Sequence, residues 1–389
     1  MSQQAPAPAR LVTPLNVLAV LVLLSGFIVV VIRYAHGLGA TTNLTHTTPW
    51  GLWTGFKLIF IALAAGGYTL TTAVYLFGMK EYHDLVRPAV LSGFIGYTLF
   101  IIILMLDLGR TWRIYYPFFV QPGPTSALFE IALCVALYYT TQFLELTPVG
   151  FEWLGLRKWR KAMLTTTVGM TIFGLLLSTL HQSTLGALYL ITPSKLHPLW
   201  YSPYIPLHFF LSSVVGGISM VILVGIISKQ VFSHTMEIPR ERLDALTVGL
   251  GKAGAIALSV CFGVKVVDVA LADNWKYLGT PMGGWFLVEV LGFVMIPCFL
   301  YAVGYRDQNP RLIRATSVYA ILGIVLNRLN ISLVAFNWRL PAAERYVPHW
   351  MEVVVVLSLI TGGLLAYRVI AAWLPILREH PAYRHGGTH

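Results

Sequence analysis

Ten stretches of this chain are almost unbroken runs of apolar residues: 15–36, 51–78, 88–108, 125–147, 162–192, 206–229, 246–272, 283–304, 311–337 and 349–373. Each has the length, about 20 mostly apolar residues, that an α-helix needs to cross the hydrocarbon layer. The pattern predicts an all-α polytopic membrane protein with about ten transmembrane helices, residues 1–389 forming a single integral membrane domain. The first run is expected to be retained as a helix. Only Arg10 precedes it, it is too long for a signal peptide, and no small-residue cleavage site follows.

Composition strengthens the membrane assignment. Hydrophobic residues make up 57% and charged residues 11% of the chain, against about a quarter charged in soluble domains. The net charge of +11 would suggest nucleic acid in a soluble protein. Here the cations sit mostly in short loops between apolar spans, and no arginine-rich arm or nucleic-acid motif is present. With an inside N-terminus, 16 Lys and Arg fall in inner segments and 7 in outer ones. That bias predicts both termini on the cytoplasmic side. Cys134, Cys261 and Cys298 each lie within a span without metal-ligand spacing, so they are expected to be small packing residues, with no metal bound.

A repeat is visible in the register of the spans. Pro49–Trp50, Pro198-Leu-Trp200 and Pro348-His-Trp350 open the second, sixth and tenth runs. Asp107 on the third matches Asp268 on the seventh, Glu130 on the fourth matches Glu289 on the eighth, and His181 falls opposite 327–330. Some of this is ordinary membrane physics, since Pro favours a first helical turn and Trp the lipid–water boundary. The remainder predicts two pseudo-symmetric four-helix bundles, 51–192 and 206–337, related by an axis near the membrane normal and flanked by the first and last helices.

Ionisable side chains inside spans are costly and normally face partners. Those present are Lys57, Asp107, Glu130, His181, His208, Lys252, Lys265, Asp268, Glu289, Arg328 and Glu352, and all but Lys252 lie in the outer half. The i, i+3 spacing lets Lys265 neutralise Asp268 and lets Asp107 meet Arg110. His181 is a different case. It keeps company with Ser178, Thr179, Gln182 and Ser183, with carboxylates at similar depth on other spans. Such a cluster suits a polar head group whose tail lies in lipid. A quinone fits, because its carbonyls need donors and its reduction needs protons, which imidazole and carboxylate can supply near neutral pH. Haem would need a matched axial pair; His181 and His208 differ in depth, so no haem is expected. A secondary transporter is the rival from another class, but its sites belong at the midplane and these polar residues crowd one side. A purely structural anchor is the third possibility.

The strings "YHDLVRPAVLSGFIGY" (82–97), "LDLGR" (106–110), "LHQSTLGALYLI" (180–191), "KLHPLWYSPYIPLHFF" (195–210) and "SLVAFN" (332–337) resemble the polysulfide-reductase/nitrite-reductase membrane subunit family (NrfD/PsrC type). The likeness extends from the second span to the tenth and is strongest to the branch serving nickel–iron hydrogenases and sulfate-reducer complexes. It implies a haem-free, quinone-reactive subunit of the bacterial inner membrane, not active alone, that takes electrons from a ferredoxin-like iron–sulfur subunit on the periplasmic face. Hydrogenase small and large subunits would be the further partners; cytochrome- or sulfur-enzyme-fed complexes share the motifs. Menaquinone or ubiquinone is the implied substrate. Carried onto this chain, the quinone-site residues are His181 and Asp107, with Arg110 and Trp50 at the entrance. Glu130, Lys57, Lys265, Asp268, Glu289 and Arg328 are the candidates for proton transfer. Hydroxyls in the inner half of the first bundle, Tyr68, Thr71, Thr72, Tyr75, Tyr97 and Tyr138 among them, together with the Gln142 amide, are expected to form an inward half-channel ending near Glu130.

Overall fold

The structure, a computed structural model, describes residues 13–378 and 383; Arg10 and Arg384 lie outside the described residues. Among the described residues, nine helices are long and apolar enough to cross a membrane, and a bent pair that includes α5 makes a tenth span: α1 (Pro14–His36), α2 (Leu52–Tyr75), α3 (Val86–Asp107), α4 (Ala127–Trp153), α5 (Thr167–Ala187), α6 (Ile205–Val231), α7 (Arg240–Leu271), α8 (Pro281–Arg306), α9 (Pro310–Val334) and α10 (Trp350–Trp373). Their ends follow local chemistry. Thr13 caps α1 and Asn309 caps α9, each ahead of a proline at the first turn. Gly37 stops α1 in the left-handed region, φ 84°. No strand is present among the described residues beyond an isolated bridge, Leu196 to Phe336.

The fifth run departs from the sequence expectation. Instead of one helix over 162–192, a short amphipathic helix, Arg157–Thr165, meets α5 at a 53° bend. Arg157, Lys158, Arg160 and Lys161 cannot enter hydrocarbon, so this turn lies across the span's direction and the membrane helix starts only at Thr167. Buried Glu152 anchors the corner, accepting from Arg87 on α3 at 3.0 Å and from Arg160 at 3.1 Å.

Helices α2 to α5 pack on one another (α2 on α3 and α5, α4 on α3 and α5), and α6 to α9 do the same, with α9 returning to α6. The two groups meet where α2 lies against α6 and α9 and where α5 lies against α6. Both remaining helices attach to the first group: α10 packs on α3, and α1 packs on α10. Outward faces of α1 expose Leu18, Leu21, Phe27 and Ile28, as a lipid-facing helix must.

At the predicted outer end, the loop after α5 and the loop after α9 tie the two groups together. His197 donates its amide to the Ala335 carbonyl at 3.0 Å, and Asn337 returns its amide to Lys195 at 2.6 Å. The His197 ring is wedged against Trp338, Trp200 and Tyr277, and its Nδ1 accepts the Leu199 amide at 3.2 Å. Burial holds this imidazole down at about 4. It is therefore neutral in the folded loop across a range where the unfolded chain, with a value near 6.5, already binds a proton. Stability from this joint is present above about pH 6.5 and falls as pH drops toward 4. Hydrogen exchange at 195–201 and 334–337, corrected for intrinsic rates, is expected to speed up between about pH 7 and pH 5, and His197→Asn should flatten that response. A response unchanged in the variant would assign the loosening to another group.

Candidate functional site

The polar residues inside the spans segregate into three clusters. At the predicted outer end of the first group, Lys57 on α2 donates to Asp107 at the last turn of α3, 2.5 Å away. Both side chains keep some exposure, 15% and 13%. Arg33, reaching in from α1, is buried; its Nε donates to the Leu106 carbonyl at 2.7 Å and its Nη2 to that of Leu108. Those carbonyls are left unpaired at a helix C-terminus, so the guanidinium closes the end of α3 and holds the turn that carries Asp107. The pairing of Asp107 differs from the i, i+3 expectation: Arg110 lies beyond the helix, exposed, and Lys57 takes its place.

The second cluster lies inside α6–α9. Asp268 meets His208 on α6 at 2.8 Å, where the sequence pointed to Lys265. Lys265 turns instead toward Glu289, 4.0 Å away. The reason is packing: α7 faces α6 on one side and α8 on the other, and each side chain finds the partner on its own side. Glu289 is 1% exposed and accepts from Trp200 Nε1 at 2.8 Å, Asn327 Nδ2 at 2.7 Å and Asn330 Nδ2 at 2.6 Å. Two π-helical segments, Val288–Met295 and Asn330–Val334, widen the backbone where Glu289 and Asn330 face each other; such bulges are frequent at functional sites. Arg328 is fully buried, its guanidinium 3.9 Å from the centre of the Phe209 ring and bonded to Ser212 at 2.8 Å. A cavity of about 40 Å³ lies between His208, Ser212, Lys265, Glu289 and Asn327, too small for a quinone ring and large enough for water.

His208, an ionisable span residue given no quinone or proton role from the sequence, is the partner of Asp268. It stands to Asp268 as Lys57 stands to Asp107: a basic residue on the first helix of a group of four, paired to an aspartate on the second. Glu130 and Glu289 likewise both reach from the third helix to the fourth, Glu130 accepting from Thr184 at 2.7 Å and Glu289 from the two asparagines. The shared depth of Lys57 and His208 behind the recurring Pro–Trp signal was the available clue.

The third cluster surrounds His181. Its ring is fully buried, bonded through Nδ1 to the Tyr97 hydroxyl at 3.0 Å and packed against Phe100. It does not open to lipid. Tyr97 and Asp107 are ten residues apart on α3, about 15 Å along the helix. His181 and Asp107 are therefore not brought together around one ring. Trp50 packs on Tyr189 and Phe336 at the outer end. A haem does not fit these residues either: His181 is closed in by aromatic rings, and His208 spends its Nε2 on Asp268, so the two nitrogens do not oppose each other across a gap.

A comparison with known proteins agrees with this architecture. The family model described as polysulphide reductase, NrfD, matches residues 40–336. A protein of Nitratidesulfovibrio vulgaris (strain Hildenborough) is 48% identical over 98% of this chain and 99% of its own length. The probable Ni/Fe-hydrogenase 2 b-type cytochrome subunit of Escherichia coli is 32% identical, covering 95% of this chain and 92% of that protein. The menaquinone reductase integral membrane subunit of Nitratidesulfovibrio vulgaris is 25% identical over 89% and 87%. With its membrane-length helices and a match over most of its length, the chain belongs to the NrfD family of polysulphide-reductase membrane subunits.

Proposed function

We propose that this chain is the haem-free, quinone-reactive membrane subunit of a respiratory redox complex in a bacterial inner membrane, with both termini cytoplasmic. The Lys57–Asp107 pair carries the proposal. It is a charged donor held beside a carboxylate at the end of a helix, with enough exposure to meet a ligand from the bilayer. A quinone carbonyl needs a hydrogen-bond donor while it accepts electrons and a proton when it has them. Lys57 supplies the donor; Asp107 holds the Lys57 side chain in place; Arg33 fixes the turn beneath Asp107. Trp50 and Arg110 flank this end of the molecule, and His181, one level deeper, serves proton supply rather than ring contact.

Electrons would arrive from an iron–sulfur subunit docked at the same outer, periplasmic face. The printed name of the Escherichia coli relative favours a nickel–iron hydrogenase as their source, and that of the Nitratidesulfovibrio relative favours menaquinone over ubiquinone. The Escherichia coli name also says b-type cytochrome, a role for which His181 and His208 are unsuited. Glu130, Lys265, Asp268, Glu289 and Arg328 are assigned to proton handling; Lys265 and Glu289 line the small cavity in the second group, while Asp268 and Arg328 bond to His208 and Ser212 of its lining.

In the assembled complex in lipid, Asp107→Asn and Lys57→Met are each expected to lower quinone reduction about 100-fold, the usual size of a lost proton-transfer group. Reduction of a water-soluble dye by the partner enzyme should remain at the wild-type rate. Quinone reduction unaffected in both variants would overturn this assignment.

A further inference from the structure

The inner corner between α4 and α5 carries cations that the fold leaves unanswered. Helix α4 ends at Trp153, Gly155 turns the chain at φ 72°, and the short helix Arg157–Thr165 follows. Elsewhere at the predicted inner side, cations are met within the chain: Arg242 by Asp84 at 2.8 Å, Arg306 by Asp307 at 2.7 Å, Arg314 by Asp244, and Lys229 by the Met236 and Ile238 carbonyls at 2.9 and 2.7 Å. On the short helix, Arg160 turns inward to Glu152. Arg157, Lys158 and Lys161 are exposed, and among the described residues none of the three pairs with a carboxylate. Glu152, the carboxylate at this corner, is already held by Arg87 and Arg160, so it does not neutralise them. Tyr383 lies over Arg157 at 5.6 Å and over Arg160 at 4.7 Å, a contact with the guanidinium face that uses none of its N–H donors.

The same helix is amphipathic. Each residue turns by about 100°, so Arg157, Lys158 and Lys161 share one side and Trp159, Ala162 and Met163 the other. Trp159 is 62% exposed and Trp153 51%, with Leu154 and Leu156 exposed between them. Water disfavours so apolar a corner, and hydrocarbon disfavours the cations beside it. A lipid headgroup layer receives both, because tryptophan favours that boundary and a basic amphipathic helix lies in its plane.

We propose that the corner 153–165 is a binding site for anionic phospholipid. Phosphates of the leaflet at this end of the molecule meet Arg157, Lys158 and Lys161, while Trp153 and Trp159 sit at the acyl boundary. Charge and polarity select this occupant over an acidic protein: cations and apolar residues lie on opposite sides of one short helix, as a boundary between water and hydrocarbon demands. A zwitterionic lipid answers its phosphate with its own ammonium. Phosphatidylglycerol and cardiolipin carry the net negative charge that three unpaired cations attract. The contact is electrostatic and partly exposed, so it weakens as salt rises. It stands apart from the quinone reading and needs only that the chain spans a bilayer.

Two measurements on the full-length protein test it. Native mass spectrometry in mild detergent, with added dioleoylphosphatidylglycerol or dioleoylphosphatidylcholine, should show the anionic lipid retained about 10-fold or more over the zwitterionic one, since each basic residue at an anionic surface contributes roughly five-fold. The combined variant Arg157→Gln, Lys158→Gln and Lys161→Gln should lose most of that preference, whereas Arg306→Gln with Arg311→Gln, at the same end of the second group, should keep it. In nanodiscs of phosphatidylglycerol, a photoactivatable phosphatidylglycerol probe should label peptides covering 153–165 in the wild type, a readout that depends on no variant folding. Equal retention of the two lipids by the wild type, an unchanged preference in the combined variant, or labelling that spares 153–165 overturns the proposal.

Discussion

Glu289→Leu is expected to stop the protein from accumulating in the membrane. The carboxylate sits at 1% exposure with three side-chain donors aimed at it, Trp200, Asn327 and Asn330, and with Lys265 Nζ 4.0 Å away. Leucine fills similar volume and removes every acceptor. Trp200 Nε1 and the two asparagine Nδ2 groups would then be desolvated without their acceptor, and Lys265 would lose the Glu289 carboxylate. Removing one member of a buried charged network costs about 3–5 kcal/mol, a large part of a total stability of about 5–15 kcal/mol. Glu289→Gln keeps the shape and one acceptor oxygen, so it should accumulate nearly normally with a lowered thermal midpoint in detergent. Yield in membranes and the midpoint of the purified protein check both. Wild-type values for Glu289→Leu would show that this network does not hold α7, α8, α9 and the loop before α6 together.

That network also marks where the sequence was legible and where it was not. Span positions follow from apolar run length alone, so the helices were readable to within a few residues. The exception was 162–192, where four cations turned the first residues out of the membrane direction. Which spans carry charge was equally plain, because a charge in a long apolar run stands out. Partner identity was not. Spacing of three along one helix made Lys265–Asp268 and Asp107–Arg110 the obvious pairs, yet in both cases the contact went to a neighbouring helix. Helical spacing reports who shares a face; it does not report what stands opposite. His181 and Asp107 were joined in one site by the family resemblance, and in the structure they stand on different levels of α5 and α3. The hydroxyls of the first group were visible in the sequence, whereas the lack of a partner at Thr72, Thr171 and Ser178 exists only once the helices are packed.

Gly217→Leu is expected to separate the two groups of helices, and Gly217→Ala to weaken their union measurably. Gly66 and Gly217 sit where α2 and α6 touch, backbone against backbone. A Cβ on Gly217 would lie 2.7 Å from the Gly66 nitrogen and 2.8 Å from the Ala65 carbonyl carbon, and one on Gly66 would lie 2.8 Å from the Gly217 oxygen. Backbone cannot swing aside as a flexible side chain can, so the helices themselves must part. In lipid no hydrophobic force drives helices together, and close packing of small residues is a main source of affinity. One methyl at this point should cost about 1–3 kcal/mol, as overpacking does elsewhere; an isobutyl group exceeds what a local shift can absorb. Both glycines belong to Gly-Gly pairs, 66–67 and 216–217, on the first helix of each group. Gly263→Ala on α7, with nothing within 4 Å of an added Cβ, is the matched control and should leave the thermal midpoint in place. If Gly217→Leu instead purifies with normal yield and the same midpoint as Gly263→Ala, then α2 and α6 do not approach this closely in the membrane. The joint between the groups would then have to rest on α2 against α9, on α5 against α6, and on the outer-loop tie at His197 and Ala335.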